Sequence, residues 1–222
     1  MFKVVILSAN PDNAKRCVYS ILSKEPHIEP AQIVIVDDGA KHEAEKYLRG
    51  ITWIQGAKPF VFSRNANIGL AAAHCDAFLM NDDAVLESHY GFTNALACAN
   101  EISNLGLLSP GVIGPVCNRN QEWTTKNELR QENRMLAFIC ILVKATVYAK
   151  IGPLDERFVG YGMEDNDYCE RARRIGLSMW VWDGCKVRHE PERGTYSKRA
   201  EIKALFEQNK VLFKQKWASK GM

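Results

Sequence analysis

The sequence predicts an α/β fold: a mixed, mainly parallel sheet flanked by helices, in a single domain. Three observations predict it. Short apolar runs alternate with helical periodicity through the first half of the chain, the pattern of βα units on a parallel sheet. Those runs close on polar or acidic residues, at Ser8 and Asn10, at Asp37-Asp38 and at Asp82-Asp83. In an open parallel sheet, ligands bind beyond the carboxyl ends of the strands. The length, 222 residues, suits one hydrophobic core at the upper end of the usual size.

Lys3 to Ser8 is an unbroken apolar run and reads as a buried strand. Asp12 to Ser23 follows as a helix, with Ala14, Cys17, Val18, Ile21 and Leu22 on its inner face. Gln32 to Val36 is a second strand, stopped by Asp37-Asp38-Gly39. A short helix over Glu43 to Leu48 leads to a third strand, Ile51 to Ile54. Ala66 to Cys75 reads as helix, and Ala77 to Met80 as a fourth strand ending at Asn81-Asp82-Asp83. Tyr90 to Ser103 is helical, and Leu107 to Val116 is a strand interrupted by Pro110 and Gly111. Asn118 to Arg134 is polar without apolar periodicity, which predicts a loop or lid. Leu136 to Val143 returns as a buried strand. Short strands follow over Ser178 to Trp182 and Cys185 to Arg188. Residues 190–199 are charged and read as a mobile loop. A last helix from about Ser197 turns Ile202, Leu205, Phe206, Leu212, Phe213 and Trp217 inward.

The formal net charge of +3 does not demand a nucleic-acid partner, although basic residues gather toward the end of the chain. Seven cysteines without a CxxC pair argue against a disulfide framework or a structural zinc site, and reduced thiols in a cytosol are the simpler reading. No run approaches the roughly 20 apolar residues that span a bilayer. The expectation is a cytoplasmic protein with no integral membrane segment.

Asp82 and Asp83 are hard oxygen donors suited to Mg²⁺ or Mn²⁺, and such an ion neutralises charge on a departing diphosphate. Strand-ending Asp residues also serve simply as turn formers. His189 alone reads as a surface or capping residue; as a further ligand to the same ion it suits Mn²⁺. Asp37-Asp38-Gly39 can be only a tight turn, or a carboxylate at this strand end can accept from the N3-H of a uracil or thymine, with Ser8 and Asn10 at the neighbouring strand end. Ser8-Ala9-Asn10-Pro11 stands where a dinucleotide fold carries Gly-x-Gly-x-x-Gly, which excludes NAD or FAD binding. The densest acidic feature is Gly160-Tyr161-Gly162-Met163-Glu164-Asp165-Asn166-Asp167. A carboxylate there can take a proton from an acceptor hydroxyl, or the cluster can favour the positive end of a helix. Asp167 and Glu170 fit the second role, or pairing with Arg171, Arg173 and Arg174.

The order Ser8-x-Asn10, Val36-Asp37-Asp38-Gly39, Asn67-Ile68-Gly69 and Met80-Asn81-Asp82-Asp83-Ala84 resembles family 2-type glycosyltransferases of the GT-A fold. So does Ile151-Gly152-Pro153-Leu154-Asp155-Glu156-Arg157-Phe158, followed by the acidic motif. The glycine-rich approach to Glu164-Asp165 and the later Arg188-His189 are similar to the C-terminal half of β-1,4-galactosyltransferases. The resemblance runs from residue 3 to about residue 217. It implies one GT-A domain over 1–222, with a nucleotide-binding half at 1–84 and an acceptor and catalytic half at 85–222. It further implies that Ser8, Asn10 and Asp38 hold the base, and that Arg64 and Asn67 lie near the nucleotide-sugar. Asp83 and His189 would be metal ligands, with Asp82 beside the ribose or sugar. Asp165 would be the general base, and Gly162 and Glu164 would touch sugar or acceptor. Asn81 stands where many members carry Asp.

The resulting expectation is an inverting transferase that uses Mn²⁺ or Mg²⁺ and a nucleoside-diphosphate sugar, UDP-sugar first. A sugar nucleotidyltransferase would carry a Gly-rich, Arg- and Lys-containing loop after strand one, and this chain lacks it. A glycan- or nucleotide-binding module has no need of both a base and a metal cluster. The acceptor is a glycan or a lipid-linked glycan; DNA is the alternative, suggested by Lys198, Lys203, Lys210, Lys214 and Lys216 in the last helix. A solvated helix face explains the same lysines.

Overall fold

A computed structural model of the protein describes residues 1–115, 118–160, 162–194 and 201–218. Four parallel units come first: β1 (Phe2–Ser8), α1 (Pro11–Lys24), β2 (Ile33–Asp37), α2 (Lys41–Ala44), β3 (Thr52–Gln55), α3 (Phe62–Ala73) and β4 (Asp76–Asn81). There follow β5 (Ala84–Leu86), α4 (Gly91–Asn100), β6 (Leu105–Ile113), β7 (Leu129–Glu132), β8 (Cys140–Val143), α5 (Ala145–Ile151), α6 (Glu164–Arg174), β9 (Ser178–His189) and α7 (Ile202–Ala218). The strands form one sheet in the order β3-β2-β1-β4-β8-β6-β9-β5, with β7 paired to β9. β8, β5 and β7 run against the other six.

The apolar runs are continuous because both faces of the sheet are covered, so successive side chains enter different cores. Val4 and Ile6 of β1 pack with Cys17, Val18 and Ile21 of α1 and with Phe92 and Ala95 of α4. Val5 and Leu7 pack on the other face with Phe62, Ala66 and Leu70 of α3 and with Tyr168 of α6. Gly69 is a requirement of this second layer: a Cβ there would come within 2.9 Å of Val36 Cγ2 and run into Val5. The helix lies too close to the sheet for any side chain.

Only Asp82 and Asp83 separate β4 from β5, although four strand-to-strand steps separate them in the sheet. A flat sheet would put β5 roughly 19 Å from β4. The chain from Asn81 to Ala84 reaches about 11 Å at most. The sheet is therefore curled, and Asp82-Asp83 is the reversal where its middle meets its far edge.

Several expected elements differ. The segment 118–134 is loop over most of its length, as expected, but it also carries β7, and its polar side chains stitch it to the fold. Gln121 bonds Ser109 Oγ (3.0 Å) and both backbone atoms offered by Ala137. Asn118 donates to Met135 O (2.7 Å), and Trp123 Nε1 to Asp183 O (2.9 Å). Such anchoring leaves no apolar period to read. The two late strands are one strand, β9, with Asp183–Cys185 lacking partners across from the β6 step between Pro110 and Gly111. The strand expected at Leu136–Val143 is extended only over Cys140–Val143. The short β5 and α5 were not anticipated. Val116 and Tyr161 lie outside the described residues, as do 195–200, which include half of the expected mobile loop and the expected start of the last helix. Within that helix Trp217 is buried, while the other five expected apolar residues are half-buried.

Candidate functional site

The carboxyl edge of the sheet gathers the candidate residues by register. Ser8 lies opposite Asp37, and Leu7 opposite Asn81. Ser8 Oγ donates to Asp82 Oδ2 at 2.6 Å. Burial pushes the Asp82 carboxyl up to about 6; the Ser8 hydroxyl opposes the rise and the neighbouring Asp83 charge adds to it. Asn10 caps α1, its side-chain oxygen accepting from Asp12 N (2.9 Å) and Asn13 N (3.1 Å). Asp37 Oδ1 accepts from the backbone N–H groups of Gly39 and Lys41, both at 2.9 Å, a turn role. Asp38 is buried and paired with Lys58, which also donates to the Asp38 carbonyl at 2.7 Å. Lys58 was not singled out from sequence; a lysine before a proline carries no motif.

Asp83 faces the other way from Asp82. Its carboxylate lies 3.7 Å from His189 Nε2. Pairing of β5 with β9 sets this contact, since Ala84 lies opposite His189. The second ring nitrogen, Nδ1, lies 2.7 Å from Pro115 O, an arrangement that fixes the ring and leaves Nε2 as the donor to a metal. Glu190 N donates to Asp83 O at 2.9 Å, and the Glu190 carboxylate pairs with Arg16 at 2.6 Å. Carboxylate oxygen plus imidazole nitrogen is a donor pair that suits Mn²⁺. Among the described residues no group of three or more His, Cys, Asp or Glu side chains converges, so further ligands would come from bound phosphate oxygens and water.

The acidic motif opens α6. Glu164 is buried, and its Oε2 has no hydrogen-bond partner among the described residues. Burial and the adjacent Asp165 hold its carboxyl well above the usual range. Asp165 is partly buried and also raised by burial, with Asn166 N donating to its Oδ1 at 2.7 Å. Asp167 is fully buried and structural, accepting from Arg171 Nε (3.0 Å), Lys216 Nζ (2.6 Å) and Trp217 Nε1 (3.1 Å). Glu170 pairs with Arg173 and Arg174.

Asp165 and His189 line one cleft of about 570 Å³, together with Gly162, Met163 and Asn166. Phe206 of α7 closes one side. That helix also holds the glycine loop. The Asn209 amide donates to Val159 O (3.0 Å) and Gly162 O (2.9 Å), and its oxygen accepts from Val159 N (3.2 Å). Gly162 has φ +101°, and a Cβ would collide with the Phe206 ring. Phe206 and Asn209 lie some forty residues beyond the acidic motif, and nothing local in the sequence marks them as part of it.

Arg64 and Asn67 are held away from this cleft by the 154–156 turn. Arg64 pairs with Glu156 at 3.2 Å. Asn67 bonds Leu154 through both ends of its amide, at 3.0 and 2.8 Å, and Glu156 Oε1 at 3.0 Å. Two motifs that are far apart in the chain are thus one structural joint.

No family model and no curated protein matches the sequence. Solved structures do. GalNAc-T7 with UDP, GalNAc and Mn²⁺ superposes at a TM-score of 0.77 with 14% identity, over 97% of this chain and 47% of that one. The mannosyltransferase PcManGT from Pyrobaculum calidifontis, in complex with GDP-Man and Mn²⁺, gives 0.64 and 13%, over 88% and 58%. S. aureus TarS 1–349 gives 0.61 and 17%, over 86% and 61%. The chain spans about half to three fifths of the length of these structures. No helix among the described residues is long and apolar enough to cross a membrane. Sheet order, curl and these superpositions agree: the chain has the GT-A fold.

Proposed function

We propose that this protein is a metal-dependent inverting glycosyltransferase that moves a sugar from a nucleoside diphosphate, UDP first, to an acceptor hydroxyl. The observation that carries the reading is the opening of Asp165 and His189 into one cleft, with Asp83 behind His189. A base and a donor pair for a divalent ion then face one reacting centre. The GT-A neighbours that hold Mn²⁺ with UDP or with GDP-Man support it.

Asp83 and His189 would hold Mn²⁺ or Mg²⁺, which supplies charge neutralisation for a leaving diphosphate. Ser8, Asn10, Asp38 and Asp82, on the first half of the chain, would form the nucleotide end. Asp165 would take the acceptor proton as the acceptor oxygen attacks the anomeric carbon, and burial suits it to that work by raising its basicity. Glu164, uncharged beside it, would keep a second negative charge off the base. Gly162 would let the loop approach the sugar.

The test is Asp165→Asn. Turnover of the donor should fall about 10²–10⁴-fold, while Mn²⁺-dependent binding of UDP stays unchanged. Turnover within a few-fold of the parent would remove Asp165 from the role of base.

A further inference from the structure

The cleft also carries information about what enters it. Among the described residues that line it only Asp165, Asn166 and His189 have polar side chains, and none is Lys or Arg. Met135, Ala137 and Ile139, from the segment that leads into β8, all line it and supply an apolar wall. Met163 and Phe206 supply more of the apolar surface. Phe206 is held there because Asn209, less than one turn further along α7, is tied to Val159 and Gly162. The volume, about 570 Å³, lies in the range of small-molecule sites.

Of the lysines that suggested an anionic acceptor, Lys198 lies outside the described residues, and the other four do not line this cleft. Lys216 is half-buried and pairs with Asp155 and Asp167, at 2.7 and 2.6 Å. Lys210 pairs with Glu207 at 2.8 Å. Neither Lys203 nor Lys214 lines it. A nucleic acid needs its phosphates neutralised by basic side chains; the described walls of the cleft offer a phosphate no Lys or Arg, only apolar surface with Asp165, Asn166 and His189. Apolar walls instead favour a ligand that brings apolar surface of its own out of water.

Resting on the reading above, we infer that the acceptor is neutral and bears its hydroxyl next to an aromatic or aliphatic group, which packs on Met135, Met163 and Phe206. In the transfer, the acceptor O–H gives its proton to Asp165. Its oxygen forms the new bond to the anomeric carbon, and the bond from that carbon to the diphosphate breaks, its electron pair leaving with the phosphate oxygen.

Methyl-labelled methionine reports on this directly, because two of the six methionines line the cleft. Protein labelled with ¹³C at the methionine methyls is titrated with phenyl β-D-glucoside, with methyl β-D-glucoside and with a single-stranded oligodeoxynucleotide. Each titration is run on the free protein and again with UDP and Mn²⁺. The expected result is movement of the Met135 and Met163 signals by the phenyl compound, with at least tenfold tighter binding than the methyl compound. The oligonucleotide leaves those two signals unmoved. Phe206→Ala should erase most of the tenfold difference, and Phe206→Leu, which keeps an apolar side chain on α7, should retain most of it. Equal affinities, absence of binding by both glucosides, or displacement of Met135 and Met163 by the oligonucleotide would overturn the inference. Failure of UDP and Mn²⁺ to bind would instead count against the glycosyltransferase reading, and the comparison of glucosides in the free protein stays readable.

Discussion

Glu164 and Asp165 are neighbours in the chain with opposite surroundings. Asp165 reaches the cleft, whereas Glu164 is turned into the protein with one oxygen unbonded. Both are raised by burial, and the two consequences differ. The base proposed at Asp165 would work when ionised, so kcat/KM for the donor should still climb with pH above the usual carboxylate range; a profile already flat at pH 5 would contradict this. For Glu164 the consequence is stability. Its folded pKa lies above its unfolded one, so its contribution is fully present at low pH and is lost as pH rises through the folded value. Each tenfold change in that ionisation equilibrium is worth about 1.4 kcal/mol, or roughly 3–6 °C in a domain of this size. Glu164→Gln should therefore melt higher than the parent at pH 9 and about equally at pH 4, in a Tm series against pH.

At the scale of elements, α7 is the part least visible in the sequence and most involved in holding the site. Its lysines read as a solvated face or an anion-docking stripe, yet Lys216 is a half-buried partner of two aspartates. Arg157 and Lys216 together hold the Asp155 carboxyl far below the usual range. Removing a partner from a buried pair leaves an uncompensated charge, so Lys216→Met should cost about 3 kcal/mol in urea unfolding. Asn209→Leu removes three hydrogen bonds to the glycine loop and should cost about 2–3 kcal/mol. Both measurements test whether α7 is bound as tightly as its contacts require. By contrast β1, β2 and β4 were legible because a strand buried on two faces must be an apolar run. β7 was not, because Gln121, Asn118 and Arg130 anchor their segment through polar bonds that leave no hydrophobic period. In the candidate site, Asp83, His189 and Asp165 were singled out by motifs that resemble the GT-A fold, because acidic residues and histidine at strand and helix ends serve equally as turns and caps. Phe206 and Met135 could not be, since an apolar residue looks the same whether it lines a cleft or fills a core.

At the scale of the molecule, the curl of the sheet sets Asp82 against Ser8 and Asp83 against His189, so ligands there would join β1 to β9. A ligand that binds only the folded state stabilises all of it by mass action. UDP with Mn²⁺ at about 100 times its Kd should add about 2.7 kcal/mol, a rise in Tm of roughly 5–11 °C. EDTA or Asp83→Ala should abolish the rise. An unchanged rise in Asp83→Ala would remove that residue from the metal.

The hold of α7 on the glycine loop also orders events in time. A ribosome makes residues 160–165 well before Asn209, Lys216 and Trp217, whose side chains bond Val159, Gly162, Asp155 and Asp167. Until Trp217 has left the exit tunnel, the nascent chain has its acidic motif but not the helix that fixes it. The apolar wall supplied by Phe206 is likewise missing. The site is completed only when α7 has emerged, with the whole sheet already available to receive it.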